Sequence, residues 1–210
     1  MDPQSTYDRI AAHFAKTREY AWPEVESFLA GRSAARALDV GCGNGRHAEL
    51  LAERAEAVVG VDLSRELLRE AAARARERGF AKTLDLVHGD AASLPIADDA
   101  VGLATYVAAL HHLSPRDARL RSLNELARVL APGGTALVSA WSTAHDRFDR
   151  EEGFDTTVDW TLPGGETVPR YYHVYSSEEF EADLAASALD PVDVEVSSGN
   201  CYAVVTVADE

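Results

Sequence analysis

The sequence predicts a doubly wound, mostly parallel α/β domain. Three observations carry that expectation. A short apolar run at Ala34–Val40 ends in three glycines on alternate positions, Gly41, Gly43 and Gly45, and passes at once into a helical pattern. Strand-like and helix-like stretches then alternate five times, and such alternation closes by right-handed crossovers into a parallel sheet with helices on both faces. The chain has 210 residues, 46% of them hydrophobic, which suits one domain with a complete core and is short for two.

Each element has a local reason. Tyr7, Ile10, Ala11 and Phe14 share one face of a leading helix over 5–14. The run Tyr20-Ala21-Trp22-Pro23 breaks it, and Pro23 suits the first turn of a second helix that ends at Gly31. These helices make up residues 1–32, and the first strand follows. A second buried strand over 57–61 ends in Asp62. Ser64 can cap a helix over Arg65–Arg78, which Gly79 stops. A third strand over 83–88 leads to Asp90, and Val101–Val107 is the fourth. Ser114-Pro115 opens a helix with Pro115 at its first position, and Ala131-Pro132-Gly133-Gly134 closes it. The fifth strand covers 135–141. Ser176-Ser177-Glu178-Glu179 is a capping box for a last helix, and 192–198 with 201–207 form a closing hairpin across Gly199-Asn200. The segment 142–175 reads as one long irregular insertion on the substrate side, a length of loop that tends to be functional.

The glycine turn narrows the ligand. Glycine lets the chain take positive φ and brings a ligand against bare backbone, and the next helix turns free N–H groups toward it. A dinucleotide site places its third glycine at the helix-packing position. Here Arg46 stands there, and the pattern is Asp39-x-Gly41-x-Gly43-x-Gly45. An acid at the end of the first strand repels a pyrophosphate and suits a ligand with a cationic amino-acid end. The pattern resembles motif I of the class I S-adenosylmethionine (SAM) methyltransferases. Asp62, at the tip of the second strand, can accept both ribose hydroxyls. Asp90 stands where that family accepts from the adenine amino group. The resemblance implies a Rossmann-like, seven-stranded sheet in the order 3-2-1-4-5-7-6 with one antiparallel strand.

Composition bounds the partners. The net charge is −15, and the 20 basic residues comprise Lys16, Lys82 and 18 arginines. Such an acid-rich, lysine-poor surface fits a salt-saturated, halophilic cytoplasm. Its field repels nucleic acid in dilute salt, whereas in molar salt a Debye length of about 3 Å leaves only local repulsion. No run approaches the ~18 to 20 apolar residues of a membrane span. The N-terminus has neither the basic nor the apolar region of a signal peptide, so the expectation is a cytoplasmic protein. Cys42 and Cys201 read as buried free thiols. No Cys/His cluster has zinc spacing, and no metal is expected.

The nucleophile is the open question. Val107-Ala108-Ala109-Leu110-His111-His112-Leu113 closes strand four, beside the transferable methyl group in this fold. It lacks the Asn/Asp-Pro-Pro-Tyr/Phe motif of amine and amide methylating enzymes. The histidine pair could serve as general base for an alcohol or phenol, hold a carboxylate as imidazolium, or simply pack and hydrogen-bond. A carboxylate nucleophile is already ionised near pH 7. It needs no base, only alignment, exclusion of water and a cationic partner. Arg170, next to Tyr171, Tyr172 and His173, is the candidate, since its fork fits a carboxylate or a phosphate; a surface salt bridge is the plainer alternative.

A closer resemblance spans nearly the whole chain. Tyr7-Asp8-x-Ile10-Ala11-x-His13-Phe14-x-x-Thr17-Arg18 with Trp22-Pro23, the turn Asp39 to Arg46, Val107 to His112, Pro169 to Tyr175 and Gly199-Asn200-Cys201 are similar to the tRNA wobble-uridine carboxymethyl methyltransferases. That family esterifies 5-carboxymethyluridine in the anticodon loop. The resemblance implies SAM as cofactor, contacted by Tyr7, Asp39, Gly41, Gly43, Asn44 and Gly45 at one end and by Asp62, Leu63, Asp90, Ala91, Val107 and His112 at the other. It implies catalytic roles for His111 and Arg170, and substrate contacts from Arg18, Trp141, Tyr171 and Asn200, with Trp141 stacking on the base. It also implies a small zinc-binding activator protein, for which the exposed edge of strand three is the expected seat. The alternatives are a class I enzyme methylating a small acid or metabolite, with 142–175 as its lid, and a SAM-binding scaffold for a partner.

Overall fold

Every apolar run named above becomes a strand. β1 (Ala34–Val40), β2 (Ala55–Asp62), β3 (Leu84–His88), β4 (Val101–Val107) and β5 (Leu130–Trp141) are parallel neighbours, and β8 (Asp190–Ser197) with β9 (Asn200–Thr206) completes one seven-stranded sheet. Its order is β3-β2-β1-β4-β5-β9-β8, with β9 antiparallel to both neighbours. The chain runs out from β1 in one direction and resumes at β4 in the other, so the C-terminal ends of β1 and β4 form the switch point where doubly wound sheets bind ligands. This computed structural model describes residues 2–207; Met1 and 208–210, the ends of the expected 1–210 domain, lie outside the described residues.

Helices cover both faces. α2 (Pro23–Leu29), α3 (Arg46–Ala52) and α4 (Arg65–Arg78) lie on one side, α5 (Arg116–Val129) and α6 (Ser177–Ala185) on the other, and α1 (Pro3–Thr17) packs on α4. Tyr106, Phe180 and Leu123 of the larger core cluster are essentially without exposure, and each such side chain contributes about 1.5–3 kcal/mol by leaving water. The caps are the expected ones. Ser64 Oγ accepts from Leu67 N–H at 3.1 Å, Ser176 Oγ accepts from Glu179 N–H at 3.1 Å, and Gly79 ends α4 at φ 84°.

Several boundaries differ from the sequence expectation. α1 starts earlier and runs longer than 5–14, because the Asp2 carboxylate accepts from the N–H groups of Gln4 and Ser5. Pro115 is the N-cap residue of α5, one step before the first helical position. α5 stops at Val129, and β5 begins at Leu130; residues 131–134 loop out of register, with Val101 opposite Leu130 and Leu103 opposite Thr135. The largest difference lies in 142–175. It holds an antiparallel pair, β6 (Phe154–Thr161) and β7 (Thr167–Val174), turning through residues 162–166. Only Val158, Tyr172 and Val174 form its buried cluster, so an alternation diluted by Thr, Asp and an inward arginine hid two strands from a hydrophobic pattern.

Candidate active site

A cleft of about 880 Å³ opens over the C-terminal ends of β1, β2 and β4 and extends under the β6–β7 pair. The sequence dictates its floor. Gly41 takes φ 67° and Gly43 φ 54°, and a Cβ at Gly41 would lie 2.4 Å from Ala109 Cβ. The turn is pinned by the N–H groups of Gly41 and Cys42, which donate to Val61 O at 2.8 and 3.0 Å. Gly45 is the left-handed N-cap of α3, with room for a Cβ only at 3.2 Å from Ala71 Cβ.

Three strand-end acids surround this floor, in two different ways. Asp62 and Asp90 line the cleft. Asp62 accepts from Gly43 N–H and Ser64 N–H, both at 2.8 Å, and burial raises its pKa to about 6. Asp90 accepts from Ala92 N–H at 2.8 Å. Asp39 is buried beneath the turn and does not reach the cleft wall. One of its oxygens accepts from Thr105 Oγ1 at 2.8 Å, the other is buried without a partner, and burial raises its pKa to about 7. The residues present fit a sugar-bearing cofactor: the Asp62 carboxylate at the cleft wall keeps lone pairs for hydroxyls, and the floor at Gly41 has no space for a side chain.

The other half of the cleft is aromatic and basic. The chain leaves β4 through Ala108, held at φ 56° with its N–H donated to Ser139, and enters a 3-10 turn at Leu110–His112. A non-glycine residue in that conformation is strained and persists only where its surroundings over-determine it. The turn aims two rings with fixed tautomers. His111 Nδ1 accepts from Trp141 N–H at 2.9 Å, which leaves the proton on Nε2. His112 Nδ1 donates to Tyr171 O at 2.9 Å, and its Nε2 accepts from Tyr7 OH at 2.7 Å. Burial holds His111 well below the ordinary histidine pKa and pushes His112 down to about 4, so both rings are neutral at pH 7.

Arg170 is the unusual group. It is 7% exposed, lies 4.9 Å from the Trp160 ring centre and 5.1 Å from that of Tyr172, and its Nε has no hydrogen-bond partner. Among the described residues no carboxylate is paired with it. The same holds for Arg18, Arg46, Arg121 and Arg147, which also line the cleft, whose acids are Glu24, Asp62 and Asp90. In a chain of net charge −15 the sign of the charge reverses locally at this opening.

The structure brings most of the sequence-selected residues together. Tyr7, Arg18, Gly41, Gly43, Asp62, Leu63, Asp90, Ala91, His111, His112, Trp141, Arg170 and Asn200 all line the cleft. Others stand apart. Tyr171 points away, its hydroxyl donating to Asp155 at 2.8 Å, because neighbours on a strand face opposite ways. Asn44 is buried and donates to Ala15 O and Arg18 O at 3.3 and 2.9 Å, tying down the end of α1. Asp39, Gly45 and Val107 lie behind the wall. Sequence reasoning placed Tyr172 beside Arg170 without giving it a role, and missed Trp160; Tyr172 stacks on His111 at 4.9 Å, and with β7 recognised as a strand its i, i+2 spacing from Arg170 would have assigned it to the cleft.

Comparison with known proteins agrees with this geometry. A family model described as "Methyltransferase domain" matches residues 38–138. A protein of Encephalitozoon cuniculi that carries a methyltransferase name is 33% identical over 180 residues, covering 82% of this chain and 79% of its own. A tRNA (carboxymethyluridine(34)-5-O)-methyltransferase of Arabidopsis thaliana is 34% identical over 141 residues, 67% of this chain; the match spans 32% of the plant protein's length. Among solved structures, a chain from the complex of the Haloferax volcanii Trm112 methyltransferase activator with its methyltransferase partner superposes with a TM-score of 0.72 at 17% identity, covering 100% of this chain and 99% of that one. No described helix is long and apolar enough to cross a membrane.

Proposed function

The chain belongs to the class I SAM-dependent methyltransferases, and from that premise we propose that its acceptor is the carboxylate of 5-carboxymethyluridine at the tRNA wobble position, converted to the methyl ester. One observation carries the carboxylate: Arg170 is a buried cation with no anion of the protein's own. A buried ion left unpaired is costly, and a carboxylate in its plane satisfies it with two charge-assisted hydrogen bonds.

When bound, SAM supplies an electrophilic methyl group on a cationic sulfur that leaves as a neutral thioether. The chain's residues then have to bind, align and dehydrate. Asp62 accepts the ribose hydroxyls, Asp90 the adenine amino group, and the Gly41–Gly43 backbone underlies the amino-acid end. Arg170 and the Nε2–H of His111 hold the acceptor carboxylate. The acceptor carboxylate is already ionised near pH 7, so the residues around it would have no proton to take up. That agrees with two histidines whose tautomers leave no free basic nitrogen facing the cleft: His111 Nδ1 and His112 Nε2 already accept. Trp141, Tyr172 and Asn200 receive the base, and Arg121 and Arg147 at the opening meet the phosphates of the RNA.

A small zinc-binding activator seated on the edge of β3 belongs to the same proposal, supported by the exposed edge itself and by the Haloferax chain's complex with an activator. So do a cytoplasmic location and adaptation to salt. A small carboxylic acid or metabolite as acceptor is favoured by one fact, the net charge of −15, which opposes RNA. Nucleoside mass spectrometry of tRNA from a deletion strain, with turnover of purified protein on carboxymethyluridine tRNA, separates the two. Loss of the ester on deletion is expected; an unchanged ester level with no turnover in vitro removes tRNA as the substrate.

A further inference from the structure

Two of the unpaired arginines share one aromatic ring. Arg18 Cζ lies 5.4 Å from the Trp160 ring centre and Arg170 Cζ 4.9 Å from it. The indole is held in place by its own N–H, which donates to His13 Nδ1 at 3.0 Å, and by Phe14 at 5.5 Å. It thereby joins α1, which carries His13 and Phe14 and is capped by Arg18, to β7, which carries Arg170. The two guanidiniums differ in their second neighbour. Arg18 Cζ lies 5.4 Å from the Phe14 ring centre, a ring whose edge would lie 3.7 Å from a Cβ on Gly43, and Arg18 O accepts from Asn44 of the glycine turn at 2.9 Å, so Arg18 stands beside that turn. Arg170 stands beside Tyr172, which stacks on His111 at the acceptor end.

We propose that Trp160 is the positioning residue of a two-anion site: its indole presents Arg18 to the carboxylate at the cofactor's amino-acid end and Arg170 to the carboxylate of the acceptor. The acceptor half of this statement rests on the function proposed above; the cofactor half does not. Like charges this close repel, and a rigid aromatic face attracts each of them while fixing its plane. Arg18 does feel its surroundings: burial first, then the charge of Arg170, draws its pKa below the ordinary value, against the pull of Tyr172 and Tyr7. The two anions also differ in fate. The cofactor's carboxylate survives the reaction, whereas esterification removes the charge that Arg170 holds, so the ester leaves a site that keeps its grip on the spent cofactor.

The test uses the full chain with S-adenosylhomocysteine (SAH) and an anticodon stem-loop carrying 5-carboxymethyluridine. Calorimetry gives the SAH Kd, and steady-state kinetics separate KM for the stem-loop from kcat. Trp160→Leu should raise both the SAH Kd and the stem-loop KM by about tenfold, the scale of a desolvated cation–ring contact. Trp160→Phe, which keeps an aromatic face, should recover most of both and also controls for folding. Arg18→Met should raise the SAH Kd and spare the stem-loop, whereas Arg170→Met should lower kcat/KM for the stem-loop and leave the SAH Kd unchanged. Unchanged SAH affinity in folded Trp160→Leu overturns the proposal. So does Arg18→Met that spares SAH and weakens the stem-loop, which would make the two arginines one site for a single polyanion. A wild-type enzyme that ignores the stem-loop defeats only the substrate assignment, and the SAH measurements then decide the role of Trp160.

Discussion

Replacing Arg170 by methionine should make the protein more stable and nearly inactive in one step. The guanidinium is 7% exposed and has no carboxylate partner. A buried unpaired ion carries a desolvation penalty of several kcal/mol, and each of its two ring contacts returns at most about 2 kcal/mol. The balance against the folded state is then about 1–3 kcal/mol. Methionine fills the same channel without charge and still packs on Trp160 and Tyr172. For a chain of this size 1 kcal/mol moves the melting temperature by about 2–4 °C, so the cofactor-free variant should melt roughly 2–12 °C higher. Calorimetry in a buffer with a bulky anion reads this without filling the site. On the acceptor side the variant loses two charge-assisted hydrogen bonds of about 1.5–3 kcal/mol each, which lowers kcat/KM by about 10²- to 10⁴-fold. A lower melting temperature with an unchanged kcat/KM would make Arg170 a strut rather than an anion holder and refute the reasoning.

Gly41→Ala should be destabilised by about 2–5 kcal/mol, combining left-handed strain with overpacking against Ala109, 2.4 Å from the new Cβ, and should lose SAH binding; a variant that melts and binds like wild type would dismiss the glycine floor. SAM affinity should climb as pH rises through about 6, where Asp62 at the cleft wall ionises, and Asp62→Asn should remove that rise in a calorimetric series; Asp39, beneath the floor, is raised to about 7. For the cofactor-free fold the same raised pKa values have the opposite sign: protonated acids stabilise it below about pH 4, and that contribution disappears as pH passes through 6 to 7. With cofactor saturating, kcat should show no limb near the ordinary histidine pKa of about 6.5; a limb that vanishes in His111→Gln would turn His111 into a general base.

The donor half of the site was legible in the sequence because its parts are local. Asp39 through Gly45 is one continuous turn, and Asp62 and Asp90 each follow an apolar run whose length marks a strand. Even there the backbone decides which groups reach the ligand: Asn44 turns to the end of α1, and Asp39 stays beneath the floor. The acceptor half was legible only as residue types. Arg170 stood out, yet its aromatic partners could not, since Trp160 comes from the opposite strand of a pair whose alternation is mostly polar. Tyr171 and Tyr172 are adjacent and chemically alike, and only the strand's alternation separates a residue on the cleft from one bonded to Asp155. Tautomers lay further out of reach, because each depends on a backbone group dozens of positions away, Trp141 N–H for His111 and Tyr171 O for His112.

The isolation of the β6–β7 pair has a consequence for how acceptor preference can change. These strands pair with each other over eight rungs and form a sheet of their own, so their phase is held by their own turn and by a few outside contacts such as Tyr171 O with His112 Nδ1 and Tyr175 N–H with Trp141 O. Deleting one residue between Thr161 and Thr167 could shift the pairing by a single step, and one step swaps the faces of every side chain that moves. Pro169 and Tyr171 would then look inward where Arg170 and Tyr172 do now, while the seven strands beneath kept their donor pocket intact. A lineage could thus exchange an anionic acceptor for a neutral one through one codon lost in a hairpin tip.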